Sequence, residues 1–218
     1  MDYSLLVKAL LKTLGIWKSG YDRLLDCIFY LPFGGEQRFR RGCLDFACIE
    51  RGDKVLDLCC GSGVLTKLIA ECLGYSGQVI GVDLSTSVLK EAKTLQNQRI
   101  AFTCACGENL PLRSSIFDKC FLSFGLHHMD KQARQKTLRE VSRTLAPGGS
   151  LFVIEYNLPE KVKARLASRA LVKLDASAEA YPMLMNGDLI KELQKAVLNI
   201  NRRKFIGGDI IQLIEAGK

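Results

Sequence analysis

Lys54-Val55-Leu56-Asp57-Leu58-Cys59-Cys60-Gly61-Ser62-Gly63 is the stretch that decides how this chain folds. A short apolar run breaks into a turn with two glycines, and a helical pattern continues through Leu73. Apolar run, glycine turn and helix are the opening of a βαβ unit. The pattern then repeats. Gln78–Asp83 reads as a second buried strand with a helix from Ser85 to about Gln96, and Ile100–Cys104 and Asp118–Phe124 as further strands. A helix from about Lys131 to Leu145 is expected to stop at Pro147-Gly148-Gly149, and Ser150–Tyr156 supplies a fifth strand.

Strands alternating with helices predict an α/β fold with a doubly wound, mostly parallel sheet. Residues 160–200 look helical, while Arg203–Ile206 and Asp209–Ile214 flank Gly207-Gly208 as an antiparallel hairpin that completes a seven-stranded sheet. Upstream, residues 4–18 carry an amphipathic helical pattern, and segments from Tyr21 to about Tyr30 and from Gln37 to Cys48 are also helical. One domain over residues 1–218 accommodates all of this. It divides into an N-terminal helical cap (1–50), a βαβ core (51–156) that is expected to carry any ligand site, and further helices with the hairpin (157–218).

Composition agrees. With 218 residues, 48% hydrophobic and 25% charged, the chain buries a sizeable core, which excludes wholesale disorder. The apolar stretches Leu5–Leu11 and Leu24–Phe33 are cut by Lys8 and Asp26, short of the run of about 18 residues that a membrane span needs. Nine cysteines without a CxxC read as buried free thiols in a reducing cytoplasm, and no metal is expected. The net charge of +8, with Arg202-Arg203-Lys204 as the basic run of note, favours contact with some anionic surface.

In a doubly wound sheet, ligands bind beyond the carboxyl ends of the strands at the switch point, where the turn after Asp57 falls. Gly61 and Gly63 allow the backbone to approach a ligand, and Asp83, twenty residues beyond Gly63, suits two ribose hydroxyls. Adenosine is thereby implied. Thr66 stands where a dinucleotide fingerprint has its third glycine, and no phosphate-binding GxxxxGK[ST] occurs. Asp57 within the strand suits an ammonium or sulfonium rather than a pyrophosphate.

Asp57–Gly63, Asp83, Gly107–Leu112, Phe117-Asp118, Ser123–Leu126 and Leu145–Gly149 together resemble the class I S-adenosylmethionine-dependent methyltransferases. Tyr21-Asp22, Phe33-Gly34, Phe39-Arg40-Arg41 and Ser123–Leu126 are most similar to the ubiquinone/menaquinone biosynthesis methyltransferases. The resemblance implies a Rossmann-like fold and S-adenosyl-L-methionine as cofactor, released as S-adenosyl-L-homocysteine. It further implies Asp57, Gly61 and Gly63 around the methionine side, Cys59 and Ser62 of the same loop among the cofactor-binding residues, and Asp83 on the ribose with Leu84 on the adenine. Gly107 and Glu108 would lie at the adenine edge, Ser123 beside the sulfonium, and Tyr21 and Arg40 near the cofactor's carboxylate. Cys59 departs from the usual first loop glycine, and His127-His128 replaces the family's common Arg-Asn.

Methyl transfer from a sulfonium needs alignment and exclusion of water, and a base only where the acceptor must lose a proton. His128 and His127, the two histidines of the chain, are the candidates. The expected acceptor is a small apolar molecule such as a prenylated quinol or lipid. Long apolar side chains, among them Leu5, Leu6, Trp17, Phe29, Tyr30, Tyr181, Met183, Leu184 and Met185, would wall its pocket. The first helix serves as a lid or lies against a membrane, so peripheral membrane contact is a further expectation. The alternative is an RNA-directed methyltransferase using the basic C-terminal end, disfavoured because no aromatic platform is interleaved with arginine.

Overall fold

The computed structural model describes residues 29–175, 183–184 and 188–218. The helix expected over residues 4–18, the greater part of the one expected from Tyr21, and Tyr21, Tyr181 and Met185 themselves lie outside those residues. After a 3₁₀ turn at Leu31–Phe33, the described chain runs α1 (Glu36–Ala47), β1 (Lys54–Leu58), α2 (Val64–Leu73), β2 (Gln78–Asp83), α3 (Thr86–Ala92), β3 (Ile100–Cys104), β4 (Phe117–Ser123), α4 (Lys131–Thr144), β5 (Leu145–Tyr156), α5 (Val162–Asp175), α6 (Asp188–Lys195), β6 (Asn199–Ile206) and β7 (Ile211–Gly217).

The seven strands form one sheet in the order β3-β2-β1-β4-β5-β7-β6. Pairings among β1 to β5 are parallel, and β7 runs antiparallel to both β5 and β6. The order reverses beside β1, so the ends of β1, β2 and β4 open at one switch point. The hairpin places its members by composition. Ile211-Gln212-Leu213-Ile214 is buried and enters the sheet, whereas β6, with Arg202, Arg203 and Lys204, stays on the exposed edge.

Helices cover both faces. Val55, Val79 and Phe121 pack towards α1, α2 and α3, while Leu56, Leu58 and Leu122 join α4 and α6. Because strand side chains alternate, Asp57 shares the face of Val55 and looks at α2. That alternation aims the acid at its partner. Across the other face, the Arg134 Nε and Nη2 donate to Glu192 at 2.8 and 3.0 Å, tying α4 to α6 by a buried ion pair.

Some boundaries differ from the expectation. The helix after β2 ends at Ala92 and tightens into a 3₁₀ turn at Lys93–Leu95. The helix α4 stops at Thr144 rather than at Pro147-Gly148-Gly149, and β5 begins at Leu145. Register jumps from Phe117–Leu145 to Lys119–Ser150, so the Pro-Gly-Gly segment is a bulge inside the strand. At Gly149 a Cβ would meet the Phe117 carbonyl oxygen at 2.9 Å. The hairpin is also longer than expected, with β6 starting at Asn199 in a segment read as helical. Met183 and Leu184 lie in the core rather than on a pocket wall, and Cys48, Cys72 and Cys104 are exposed, not buried, thiols.

Gly81 in β2 has no room for a side chain: a Cβ there would stand 2.6 Å from Phe102 Cδ1 and 3.0 Å from Cys60 Sγ, beneath the glycine turn. Gly81→Ala is expected to cost about 1–3 kcal/mol in urea unfolding. Phe102→Leu in the same chain should recover part of that loss, and an additive pair of costs would show that the contact is not the cause.

Candidate functional site

The site is built around a buried acid. Asp57 is 1% exposed. Its Oδ2 accepts a 2.5 Å hydrogen bond from the Thr66 hydroxyl of α2, and its Oδ1 is buried with no hydrogen-bond partner among the described residues. Burial pushes the Asp57 carboxyl up to about 6, against the pull of Thr66 and of the Arg40 guanidinium. Arg40, on α1, donates from Nε to Glu36 at 2.7 Å and from Nη2 to the Tyr30 hydroxyl at 3.4 Å, and its Nη1 reaches Ser123 Oγ at 3.5 Å. The structure thus brings Asp57, Arg40 and Ser123 together from three separate parts of the chain. Thr66, conspicuous in the sequence only as a missing glycine, is the residue that anchors the acid.

The turn between β1 and α2 passes through three left-handed residues: Cys59 (φ 60°), Gly61 (φ 54°) and Gly63 (φ 81°). No atom lies within 4 Å of a Cβ built on Gly61, so its glycine answers the backbone conformation alone. Asp83 holds the turn: its Oδ2 accepts from Gly61 N and its Oδ1 from Ser85 N, both at 2.9 Å. Cys59 carries a Cβ in a conformation that disfavours one, and its side chain fills the space beside Gly125, where a Cβ would lie 2.7 Å from Sγ. Burial pushes the Cys59 thiol up to about 12, which makes it a space-filling group rather than a nucleophile.

Around this turn the remaining cofactor candidates fall on one edge. Leu84, directly after Asp83, is 69% exposed. Glu108 pairs with Lys136 at 3.0 Å, and Gly107 backs onto Thr137 of α4. The loop beyond them is held by two residues that motif reading does not single out. Glu140 Oε2 accepts from Leu110 N at 2.8 Å, and Arg143 donates to the carbonyls of Leu110 and Leu112 at 3.1 and 2.9 Å. A cavity of about 250 Å³ beneath α2 and α3 is lined by Ser62, Gln37, Lys67, Glu71 and Glu91, and it excludes the other candidates.

Beside Ser123 the character turns aromatic. Phe124 is held at φ 49°, its N–H donating to the Ile154 carbonyl at 2.8 Å. Its ring lies 5.5 Å from Phe29, 6.1 Å from Phe39 and 5.3 Å from Tyr156. His127, a candidate base from the sequence, sits in a 3₁₀ turn just beyond β4 and is wholly buried. Its Nδ1 lies 2.8 Å from Glu155 Oε1. The same oxygen accepts from Tyr156 N at 2.9 Å, so Nδ1 is the donor of the pair. His128 is exposed, its ring centroid 4.0 Å from that of His127.

A 3-2-1-4-5-7-6 sheet with a glycine turn after β1 and an acid closing β2 is the arrangement of the class I methyltransferases. Residues 13–175 match the ubiE/COQ5 methyltransferase family, and the chain belongs to it. It is similar to an uncharacterized methyltransferase of Synechocystis, 31% identical over 88% of this chain and 89% of that one. It also resembles the ubiquinone/menaquinone biosynthesis C-methyltransferase of Cronobacter sakazakii, 35% identical over 64% of this chain and 55% of the relative. Among solved structures, a SAM-dependent methyltransferase from Aquifex aeolicus superposes with a TM-score of 0.65 at 18% identity, covering 82% of this chain and 88% of that one.

The protein is therefore a methyltransferase that uses S-adenosylmethionine. Its residues fit that group: the buried Asp57 Oδ1 lacks a hydrogen-bond donor, which an ammonium supplies, and Leu84 offers an apolar face beside Asp83.

Asp57 makes stability depend on pH. A folded-state value raised to about 6 from 3.8 means that the folded protein favours the protonated acid. Its contribution is intact below pH 3.8 and is lost as pH rises through about 6. Thermal or urea melts of wild type and Asp57→Asn should therefore diverge between pH 4 and 7, the variant gaining up to about 3 kcal/mol relative to wild type. Parallel curves would mean that the acid is not buried as described.

Proposed function

We propose that the enzyme methylates a small apolar acceptor of the prenylated-quinol type. The observation that carries this is the pair of half-buried rings of Phe29 and Phe124, which stand on the core rings of Phe39 and Tyr156 beside Ser123 and Arg40, with Phe124 in a left-handed conformation. A backbone strain of about 1–3 kcal/mol persists only where the surrounding structure over-determines it, and such positions cluster at active sites. An aromatic wall takes up a flat apolar ring and excludes water from it.

When bound, S-adenosylmethionine supplies the electrophilic methyl group. Asp57 and Arg40 would hold its amino-acid end, Asp83 the ribose, Leu84 the adenine face, and Gly107 and Glu108 the adenine edge. Cys59, Ser62 and Ser123 complete the described candidates with Gly61 and Gly63, and Tyr21 stays a candidate from the sequence alone. A quinol must lose a proton as it gains a methyl group. In this reading His127 takes that proton at Nε2, since Nδ1 is committed to Glu155, and exposed His128 beside it leads towards solvent. Glu155 fixes the tautomer and compensates the imidazolium. The likeness to the Cronobacter enzyme, whose name states quinone biosynthesis, supports the same acceptor class.

The direct test is incubation of the protein with S-adenosylmethionine and a short-chain prenylated quinol bearing an unsubstituted ring carbon. A product one methylene heavier is expected, together with S-adenosylhomocysteine. Turnover on RNA with none on quinols would overturn the reading. Glu155→Gln separates chemistry from structure. It should lower kcat about 100-fold while leaving cofactor affinity and thermal stability in place, because the change removes a buried charge without changing shape. An unchanged kcat would make the His127–Glu155 pair purely structural.

A further inference from the structure

We propose that the edge of the sheet next to the site, formed by β6, its hairpin turn and the 3₁₀ turn at Leu31–Phe33, docks on an anionic lipid bilayer. The two segments meet where the Phe33 ring packs against Gly207, whose Cβ position is 2.7 Å from Phe33 Cζ. Phe33 in turn contacts Phe29 and Phe39 at centroid distances of 6.1 and 4.9 Å. The rim is therefore continuous with the aromatic wall.

Its surface combines two features. Leu31 is 77% exposed and Phe205 is 42% exposed, an aliphatic and an aromatic side chain left in water on adjoining segments. Arg203 shares the strand face of Phe205, while Lys204 points to the opposite face, towards α1, where Arg38 lies; all three cations are exposed and none has an ion pair among the described residues. Arg38 lies against Gly34, next to the 3₁₀ turn. Arg203 bonds only neutral partners, Gln212 and Asn157. Of the acids on the hairpin, Glu215 is already paired with Arg202, which leaves Asp209 in the turn.

Cations on an edge strand also prevent strands from pairing edge to edge, and this accounts for the charge. It does not account for Leu31 and Phe205. An edge strand with exposed apolar side chains and unpaired cations to either side of it matches an anionic interface, where the former enter the acyl boundary and the latter meet phosphates. RNA fits less well. Single-stranded bases need an open aromatic face, and the Arg203 guanidinium already lies over the Phe205 ring at 4.5 Å. The proposal rests on the apolar-acceptor reading in one respect: a prenylated acceptor resides in the bilayer, and a rim joined to the aromatic wall would receive it there.

Flotation of the full chain with phosphatidylcholine vesicles, with and without phosphatidylglycerol, tests the idea. Binding to the anionic vesicles alone is expected, weakening with salt. Arg38→Gln combined with Lys204→Gln should lower partition about thirtyfold at low salt. Leu31→Ser should lower it at every salt concentration. Unchanged S-adenosylmethionine binding by each variant serves as the folding control. Equal binding of wild type and variants, absence of binding, competition by RNA, or a dimer that dissociates on the same substitutions would each overturn the proposal. A protein that methylates detergent-dispersed quinol but ignores vesicles would refute docking alone, and the converse would refute only the acceptor.

Discussion

A carboxylate without access to water, Asp57, is the constraint on which the rest of the site depends. An acid in the middle of a parallel strand is expensive to bury, and only one of its oxygens is satisfied, by Thr66. Arg40 supplies the opposing charge from α1, and in doing so links α1 to the end of β4 through Ser123. The acid thus sets which helix must cover this face and where its arginine must stand. Its unmatched oxygen costs stability in the free protein and suits a positively charged ligand group.

A second constraint follows from the turn above it. Asp83 spends its two oxygens on the N–H groups of Gly61 and Ser85, so it shapes the turn and faces the ligand region with the same carboxylate. Strain gathers nearby, at Cys59 and Phe124, two non-glycine residues with left-handed backbones. Gly125 makes the pair compatible, because the Cys59 side chain occupies the volume that any larger residue there would need. The side chain of Cys59 is therefore matched by Gly125, two residues beyond the end of β4, adjacent in space and distant in sequence.

The two ends of the sheet have different tasks. From β3 to β1 the edge is polar, made of backbone amides and acids, and is held stiffly by Glu140 and Arg143 behind it. From β4 to β6 it becomes aromatic and then cationic, through Phe124, Tyr156, Phe33 and the outer hairpin. The His127–Glu155 pair lies on the aromatic side, wholly buried. A buried hydrogen bond contributes little net stability, so the pair is better explained by the orientation it gives the ring than by energy.

Periodicity determined most of the fold. Apolar runs of strand length alternating with amphipathic helices leave a parallel sheet as the economical way to bury both faces, and the turn at Gly61 and Gly63 was legible because a left-handed backbone is a local property. Boundaries failed where tertiary contacts outweighed local signals. Pro147-Gly148-Gly149 reads as a helix stop but is accommodated as a bulge, since Phe117 and Lys119 continue to pair on either side of it. β6 reads as helix at its start because its residues are polar, and only the position at the open edge of the sheet makes a strand of it. Thr66, Glu140, Arg143 and Glu155 carried no signal, because their partners lie 9 to 33 residues away. A sequence records which side chains are available; which carboxylate meets which donor is decided by the strand order and register that bring them face to face.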